Sequence, residues 1–535
     1  MIQPTQATQA TQATQATQAT QATQATILWS ITGSDNSAGA GIQADLKTIQ
    51  SFSAPEHPLH LYTLVTAITA QHSGGVDACL AMSVAMLHQQ AMTLLKDAQP
   101  AVIKIGLLVN KLQVLWLADF LQELRQQLRQ KQADLLVIYD PVAISSSGSR
   151  MADADLYQAV IQHLLPQLDV LTPNLPELEA LTQSTDADQA VKLLLDTGVK
   201  AVLVKGGHDF DTQSCTDQLF ISPQFRYRGY PAYSHQVRLS SPRQQDAFSH
   251  GTGCCFSSAL AAALALGYAL EDAFVLAKSY INQGLSQPVA ITECSGTLGH
   301  WGFPAKPEYL PKLLTDDLQP PAKAFAPLKA PLGLYVIVPS VAELQRALAA
   351  GVKTLQLRIK STDQALLRQE IQQAIQLCQH PDIQLFINDH WQLALELGAY
   401  GVHLGQEDIN SANLAVLQQA GLRLGLSSHG FYKLLRAQQF QPSYLAIGAV
   451  FATQTKEMGG KLQGLQKLSR YPALFPTTAL VAIGGIHEHN AKAVLACGIQ
   501  HLAVVQAFAN AAEPKLWVQQ MQQLITGAQL EQKPC

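Results

Sequence analysis

The chain has 535 residues, of which 47% are hydrophobic and 14% charged, with a formal net charge of −4, so two or more domains are expected because one core rarely serves so long a chain. Basic residues are not concentrated in one block, so nucleic acid is not expected as a partner. No apolar run is long enough to cross a membrane. Eight cysteines without zinc-binding spacing are expected to be reduced thiols in the cytoplasm.

Composition divides the chain into four segments. A Thr-Gln-Ala repeat fills most of residues 1–26, and we expect it to be disordered because it has no large apolar side chains to bury. A first folded domain is predicted for residues 27–303 and a second for residues 332–528. Residues 304–331 between them are rich in Pro, Lys and Ala, so a semi-extended linker is expected there.

The first domain alternates predicted strands and helices. Buried parallel strands are predicted at Ile27–Thr32, Leu135–Tyr139, Val170–Thr172 and Val202–Lys205, and amphipathic helices at Lys111–Gln130 and Asp186–Thr197. This alternation indicates a layered α/β domain whose ligands bind beyond the carboxyl ends of the strands. Ala259–Leu266 is the most apolar segment of the chain and is expected to lie in a buried helix.

Two glycine-rich segments of this domain are candidate ligand sites. Gly33–Asp45 follows a predicted strand and opens a helix, and Gln43 within it offers both a donor and an acceptor. His250–Cys254 precedes a helix, so its amides can form an anion hole and lower the pKa of the Cys254 thiol. Each segment also has a purely structural interpretation: a tight strand-to-helix connection for the first, and a glycine-lined helix entry with a buried thiol for the second.

The second domain contains eight short apolar runs separated by stretches with helical spacing. The runs are Leu334–Val338, Thr354–Leu357, Ile383–Ile387, Gly401–Leu404, Leu422–Leu426, Tyr444–Ile447, Leu480–Ile483 and His501–Val505. Eight β/α units of this size match the lower end of a (β/α)8 barrel, which places its chemistry at the carboxyl ends of the strands.

The predicted strand ends of this barrel carry cations, carboxylates, hydroxyls and glycines. Arg358 and Lys360 follow the second run, Asp389 the third and Asp408 the fourth. Neighbouring carboxylates suit a hard Mg²⁺ ion that also binds diphosphate, and an arginine offers a planar fork for phosphate. One such side chain is often only structural, but the set on adjacent strands predicts a magnesium-diphosphate site.

The first domain carries the motifs GSDNSAGAGIQADLKT, ITAQ, KIGLL, DPV, LTPNLPE, VKGGH and HGTGC. In these motifs it resembles the hydroxymethylpyrimidine and phosphomethylpyrimidine kinases of the ribokinase-like superfamily. The resemblance implies ATP as co-substrate, Gln43 as a ligand of the pyrimidine, and Cys254 in the place where many relatives carry an aspartate base. It implies Asn174, Glu177 and Lys205 for the nucleotide phosphates and magnesium, and Gly251, Gly253 and Cys254 for phosphoryl transfer. Asp140 is expected to organise either magnesium or a loop.

The second domain carries QLRIK, INDHWQLALELGAYGVHLGQED, GLSSH, GAVFATQTK and AIGGI in this order. It resembles thiamine phosphate synthase across its whole length. The resemblance implies Asp389 and Asp408 as magnesium ligands, Lys456 as a catalytic residue, and Tyr335 and His403 beside the pyrimidine. His403 is equally well explained as a satisfied core histidine. The residues implied for substrate binding are Gln356, Arg358, Ile359, Lys360, Asn388, Ser427, Thr453, Gln454, Thr455, Lys456, Gly485, Val505 and Gln506.

Together the resemblances predict a ribokinase-like α/β domain followed by a TIM barrel, in a bifunctional enzyme of thiamine biosynthesis. Its small-molecule partners would be ATP, hydroxymethylpyrimidine and its phosphates, and thiazole phosphate. The kinase would make hydroxymethylpyrimidine diphosphate, and the barrel would join it to thiazole phosphate with release of diphosphate. Two alternatives are open: a kinase specific for pyridoxine, and a barrel that binds ligands without catalysis. Assembly into a homo-oligomer is also left open.

Overall fold

The computed structural model describes residues 23–72, 75–142, 154–208, 211–227, 230–244, 248, 250–293, 295–315, 321, 323–452 and 462–531. Most of the Thr-Gln-Ala repeat lies outside these residues, and its predicted disorder stays a prediction. The boundaries predicted for the two domains likewise stay predictions, although the strands fall into two separate sheet systems along the chain.

The N-terminal half of the chain forms one mixed sheet between two layers of helices. The strands, including two small hairpins outside this sheet, are β1 Thr26–Asp35, β2 Leu59–His72, β3 Gly75–Ala81, β4 Val102–Ile105, β5 Leu136–Tyr139, β6 Val170–Leu171, β7 Ala201–Val204, β8 Ser214–Ile221, β9 Arg226–Tyr227, β10 Tyr230–Pro231, β11 Gln236–Pro242, β12 Val289–Thr292, β13 Ser295–Thr297 and β14 Lys312–Leu314. The order in the sheet is β14-β11-β8-β7-β6-β5-β4-β1-β2-β3. Alternate residues of β1 pack on opposite faces, Leu28 in one core and Trp29 in the other.

The helices of this half follow the predicted pattern. They are α1 Gly41–Phe52, α2 Val84–Leu94, α3 Lys111–Gln130, α4 Ala154–Ala159, α5 Leu175–Thr182, α6 Ala187–Asp196, α7 Thr252–Ala265 and α8 Leu270–Ser286, with shorter turns at Val160–Leu164, Leu165–Gln167, Gly206–His208 and Pro307–Tyr309. The predicted strands and helices are confirmed with small shifts at their ends, where boundaries are least determined by sequence. The predicted buried helix is also confirmed, because α7 is buried from Cys254 to Ala265.

The segment predicted as a linker contributes to the first sheet. Its strand β14 pairs antiparallel with β11 at the sheet edge, with Leu313 opposite Leu239. Leu313 is 3% exposed, so burial of its side chain and the added ladder hydrogen bonds favour the strand over a free linker. Part of residues 304–331 is therefore packed structure rather than a spacer.

The C-terminal half forms a closed parallel barrel. Its strands are β15 Leu334–Val338, β16 Thr354–Leu357, β17 Gln384–Asn388, β18 Gly401–Leu404, β19 Arg423–Ser428, β20 Tyr444–Ile447, β21 Leu480–Ile483 and β22 His501–Val504. Each strand pairs with the next, and β22 closes onto β15 with Leu334 opposite Leu502. The predicted (β/α)8 barrel is confirmed, with β17 and β19 each displaced toward their carboxyl ends.

Helices surround this barrel. They are α9 Val341–Ala349, α10 Gln364–Leu377, α11 Trp391–Glu396, α12 Leu414–Gln419, α13 Phe431–Gln438, α14 Gly464–Leu468, α15 Tyr471–Leu474, α16 Ala491–Ala496, α17 Gln506–Ala509 and α18 Pro514–Glu531, with a short turn at Asp408–Asn410. Tyr335, Phe386 and Tyr444 fill the barrel interior.

Two expectations from composition can be compared with the described residues. Within them, no helix combines the length and apolar character that a membrane crossing requires. Cys79, Cys215, Cys254, Cys255, Cys378 and Cys497 carry free thiols.

Candidate functional site

The two glycine-rich segments of the first domain meet at one place. A Cβ atom at Gly251 would collide with the carbonyl oxygen of Gly39, and one at Gly39 would collide with the ring of His250. Gly251 also has a φ of 79° and begins α7 as its N-cap residue, a conformation that glycine adopts without strain. The predicted anion hole therefore lies directly against the Gly33–Asp45 turn.

Lys205 lies beside this helix start within a group of charged residues. Its Nζ is 2.5 Å from Asp140 Oδ1 and 3.8 Å from Glu177 Oε2, and a Cβ at Gly253 would lie 3.3 Å from the same Nζ. Burial raises the pKa of Glu177 to about 7, while Lys205 opposes the shift and Asp140 adds to it. The structure thus brings Asp140, Glu177 and Lys205, which come from three separate motifs, together near the Gly251–Cys254 turn.

The Asn174–Glu177 pair has a second, local role. Asn174 Oδ1 accepts the amide hydrogen of Glu177, and Glu177 Oε2 accepts that of Asn174. This reciprocal capping box starts α5. The three-residue spacing of Asn174 and Glu177, which resembles a nucleotide-binding motif, is therefore also the spacing of a helix capping box.

Both ends of the Gln43 amide are used within the glycine-rich turn. Its Oε1 accepts from the amide of Asp35, and its Nε2 donates to Ser34 Oγ. A pyrimidine at this position would have to share or replace one of these bonds.

Of the two interpretations of Cys254, the structure favours the buried thiol over the thiol with a lowered pKa. Cys254 is 9% exposed, and its burial raises the pKa to about 11, although Lys104 acts in the opposite direction. Desolvation disfavours the thiolate more than the helix start favours it. Cys254 is therefore a buried neutral thiol near pH 7, in hydrogen-bond contact with the backbone of Gly41.

Sequence reasoning missed two groups that support this site. Asp35 accepts hydrogen bonds from the amides of Ser37, Gly39 and Ala40. Behind α7, Lys104 donates to both oxygens of Asp45, which also accepts from Ser258 Oγ. Asp35 and its partners lie in one motif, whereas Asp45 lies 59 positions from Lys104 and 213 from Ser258, too far for spacing to reveal the contact.

In the barrel, the predicted metal ligands follow two adjacent strands. Asp389 follows β17 with a φ of 62°, which is unusual for a residue other than glycine and is typical of functional sites. Burial raises its pKa first, the nearby Asp408 raises it further, and Arg358 lowers it. Asn388 Nδ2 donates to Asp389 Oδ2 at 2.6 Å. Arg358, Asp389 and Asp408 thus share one electrostatic environment at the rim.

These two carboxylates fit a magnesium ion shared with a diphosphate. The negative charge of Asp408 raises the pKa of Asp389, so the two carboxylates repel each other. A cation between them would remove this repulsion. The described residues contain no cluster of three or more His, Cys, Asp or Glu side chains suited to a metal, so diphosphate and water oxygens would complete the coordination.

A buried hydrogen-bond chain crosses the barrel below this rim. Gln356 Nε2 lies 3.0 Å from Tyr335 Oη, which lies 2.8 Å from Tyr444 Oη. His403 Nδ1 is 2.8 Å from Tyr444 Oη, and its Nε2 is 2.9 Å from Ser427 Oγ. Three predicted site residues, Gln356, His403 and Ser427, are thus joined through Tyr335 and through Tyr444, whose part sequence reasoning missed.

His403 is both a buried core residue and a neighbour of the predicted site. Burial, with a smaller effect from Arg358, lowers its pKa to about 4. The imidazole is therefore neutral near pH 7 and carries one ring hydrogen. The two interpretations of this histidine are compatible.

The remaining predicted residues lie in three places: beside Arg358, on the other side of the barrel mouth, and outside the described residues. Gly485 follows β21 with a φ of 66° and packs against Phe451, and Val505 and Gln506 begin α17. Ile359 and Lys360 follow β16, where the carbonyl of Ile359 lies 3.4 Å from His390 Nε2. Thr453, Gln454, Thr455 and Lys456 lie outside the described residues.

Family comparisons match both halves of the chain. The family model for phosphomethylpyrimidine kinase matches residues 35–299, and that for thiamine monophosphate synthase matches residues 334–508. A thiamine-phosphate synthase of Neisseria meningitidis serogroup A is 49% identical over 203 residues, which are 38% of this chain and 99% of that protein. One from Yersinia pestis is 50% identical over 199 residues, covering 37% of this chain and 93% of its own length.

Solved structures similar to the first domain are kinases. Pyridoxal kinase from Staphylococcus aureus in complex with pyridoxal is 25% identical with a TM-score of 0.42, covering 52% of this chain and 94% of that one. Phosphomethylpyrimidine kinase from Clostridium difficile is 29% identical with a TM-score of 0.38, covering 48% of this chain and 97% of that one.

The family matches confirm the predicted order of a ribokinase-like domain and a TIM barrel. The chain belongs to the thiamine-phosphate synthase family through its barrel, and its first domain matches the phosphomethylpyrimidine kinase model; it is a bifunctional transferase of thiamine biosynthesis.

Proposed function

We propose that the two sites act in sequence on one pyrimidine, with ATP as the phosphoryl donor of the first. The Gly251–Cys254 turn would bind the transferred phosphoryl group through its amides, and Lys205 would neutralise charge on the nucleotide phosphates. The neighbouring Glu177 and Asp140 would hold magnesium, which supplies charge neutralisation when bound. The contact between the glycine-rich segments supports a pyrimidine beside Gln43.

The neutral thiol of Cys254 fits a donor role better than a base role. A thiol with a pKa raised to about 11 is protonated near pH 7 and offers its hydrogen to an oxygen. Phosphoryl transfer needs mainly positioning and charge neutralisation, so a strong base is not required.

In the barrel, the hydrogen-bond chain supports a directed donor at Ser427. An amide nitrogen only donates, so the Tyr335 hydroxyl accepts a hydrogen bond from Gln356 and donates one to the Tyr444 hydroxyl. Tyr444 then donates to His403 Nδ1, which leaves the single ring hydrogen of His403 on Nε2. That hydrogen goes to Ser427 Oγ, and the Ser427 hydroxyl hydrogen remains available for a phosphate oxygen.

The proposed synthase reaction needs no side-chain nucleophile. The bond between the pyrimidine methylene carbon and the diphosphate oxygen breaks, and its electron pair leaves with the diphosphate. The electron-rich aminopyrimidine delocalises the positive charge until the thiazole nitrogen donates its lone pair to that carbon. Arg358, Asn388 and Ser427 would stabilise the leaving group, and magnesium between Asp389 and Asp408 would neutralise its charge.

The single observation that carries this proposal is the shared environment of Arg358, Asp389 and Asp408 on adjacent strand ends. The thiazole phosphate would bind opposite, at Gly485, Val505 and Gln506. The predicted substrate-binding roles also include Thr453, Gln454, Thr455 and Lys456, and Lys456 is also proposed to be catalytic. The free thiols of the described cysteines support a cytoplasmic setting, and self-association stays an open prediction.

The test is to incubate the full chain with hydroxymethylpyrimidine, ATP, Mg²⁺ and thiazole phosphate. Thiamine phosphate is the expected product, with two ATP consumed per product. A parallel reaction replaces the alcohol with pyridoxine. Faster turnover of pyridoxine, with no thiamine phosphate from hydroxymethylpyrimidine, would favour the alternative kinase specificity and contradict the proposal.

A further inference from the structure

The barrel helix α13 begins after a residue that makes no side-chain capping hydrogen bond. Its N-cap residue is Gly430, which has a φ of 123° and no side chain to accept a hydrogen bond. An uncapped helix start leaves amide donors unsatisfied and loses stability. The acceptor instead comes from the first domain, because Asp272 Oδ1 accepts the amide hydrogen of Tyr432 at 2.8 Å.

Gly430 is shaped for this carboxylate. A Cβ atom at Gly430 would collide with Asp272 Oδ2, so a residue able to cap from within the barrel would displace the carboxylate. Asp272 lies on the first turn of α8 and is 4% exposed. Aromatic contact accompanies the cap, with the rings of Tyr268 and Phe431 5.8 Å apart. The helix start is thus enclosed by the first domain.

The far end of α13 also touches the first domain. Gln439, which follows the helix, donates to the carbonyl oxygen of Leu313 at 2.7 Å and accepts from Thr315 Oγ1 at 3.1 Å. The helix is therefore held at both ends by the first domain, and its start is the end that follows Ser427 closely in the chain.

Helix α13 connects to two parts of the synthase rim. Ser427 precedes the helix by only a few residues. Gln406, near Asp408 in the chain, donates to the carbonyl oxygen of Ser427 at 2.8 Å and to that of Lys433 at 3.3 Å. Arg436 of the helix donates to the backbone and side-chain oxygens of Gln406 at 3.0 and 2.9 Å. A shift of α13 would therefore move the Ser427 and Asp408 loops together.

We infer that Asp272 of the kinase domain is a positioning residue for the synthase reaction. It caps α13 across the domain boundary and thereby holds Ser427 and the Gln406–Asp408 loop in place for the diphosphate. The inference rests on the roles proposed for Ser427 and Asp408. The Neisseria relative matches this chain over 99% of its own length within the barrel region, so it has no room for such a domain. The dependence is a property of the fused chain.

The kinase site is remote from Asp272, which makes the two activities separable. The anion hole lies at the start of α7, a helix of 14 residues, and Asp272 lies just after its end. A helix of this length spans about 20 Å. Substitution of Asp272 is therefore expected to leave kinase turnover unchanged.

The experiment compares full-length Asp272→Ala and Asp272→Asn, with hydroxymethylpyrimidine diphosphate and thiazole phosphate supplied directly. Asp272→Ala removes the acceptor, and we expect kcat/KM of the synthase to fall about tenfold, mostly through a higher KM for the diphosphate. Asp272→Asn keeps the acceptor and should stay within about twofold of the wild type. Kinase turnover of each variant reports whether the chain has folded.

Gln439→Ala is the matched control, because it removes two hydrogen bonds between the domains at the other end of α13 and should leave the synthase KM unchanged. If Asp272→Ala does not fold, Asp272→Leu fills a similar volume without an acceptor. Equal synthase kinetics for the folded acceptor-free variant and the wild type would overturn the inference. Ser427→Ala and Asp408→Asn distinguish failure of the positioning role of Asp272 from failure of the proposed diphosphate site. If these two variants also leave synthase kinetics unchanged, the proposed diphosphate site is wrong.

Discussion

The two sites differ in how far their polar groups are already paired. In the kinase domain, Lys205 is bonded to Asp140, and both ends of Gln43 are bonded to its own turn. At the barrel rim, Asp389 and Asp408 repel each other. They accept hydrogen bonds from Asn388 and from the amide of Gly405, but within the described residues neither forms a salt bridge. The barrel is thus organised in advance for a charged ligand, whereas ligands of the kinase must replace internal bonds.

The largest loss of activity should come from a substitution at the barrel rim, where the site is organised in advance for a charged ligand. Asp389→Ala removes one of two carboxylates for magnesium, and we expect synthase turnover to fall by about a thousandfold or more. Kinase turnover should not change. Asp382→Ala is the control, because Asp382 lies before the same strand in an exposed pair with Lys353. Thiamine phosphate formation and ATP consumption measured on each variant check this, and an active Asp389→Ala would remove the metal assignment.

The kinase side is tested at the helix start. Cys254→Ala removes the neutral donor from the anion hole, so the first phosphorylation should slow about a hundredfold. Because the thiol pKa is raised to about 11, the wild-type rate should show no inflection from this thiol between pH 6 and 9. Cys255→Ala, a change at the adjacent and fully buried cysteine, should have little effect on turnover. An equal loss in both variants would mean that packing, not the donor, matters.

Acid stability of the barrel should depend on a histidine away from its site. Burial lowers the pKa of His501 to about 4 from 6.5, so the unfolded state binds the proton more readily. The stabilisation is present above pH 6.5 and is lost as pH falls to 4, by about 2–3 kcal/mol. Urea unfolding of the wild type and of His501→Gln at several pH values measures this. The same pH slope in both proteins would contradict it.

A smaller effect is expected from the hydrogen-bond chain. Tyr444→Phe removes the hydroxyl between Tyr335 and His403, so Ser427 should lose its fixed orientation and kcat/KM should fall about tenfold. Tyr471→Phe removes a buried hydroxyl that donates to Gln463 elsewhere in the barrel domain, and it serves as the control. Steady-state kinetics with supplied hydroxymethylpyrimidine diphosphate distinguish the two. Identical kinetics would mean that the chain is structural only.

Sequence patterns predicted the features that depend on residues close together in the chain, namely the strands and the side chains at their ends. Period and composition located the barrel strands, and strand ends located Arg358, Asp389 and Asp408, because side chains at the ends of parallel strands must converge. The linker strand β14 was missed because its partner β11 lies far away in the chain. The choice between an activated and a buried Cys254 stayed open because a helix start is visible in sequence, whereas the depth of burial is not.

The cap on α13 was beyond sequence reasoning for a related reason. Asp272 and Tyr432 are separated by 160 positions, and neither belongs to a motif. Tyr444 resembled an ordinary core residue until its hydroxyl was seen between Tyr335 and His403. Long-range polar contacts are set by packing, and spacing along the chain does not encode them.

The most direct measurement is a crystal structure of the full chain with Mn²⁺ in place of magnesium and with pyrophosphate. We expect an anomalous peak between Asp389 and Asp408, bonded to a diphosphate that Arg358 and Ser427 also contact. A peak elsewhere, or a diphosphate away from these side chains, would contradict it.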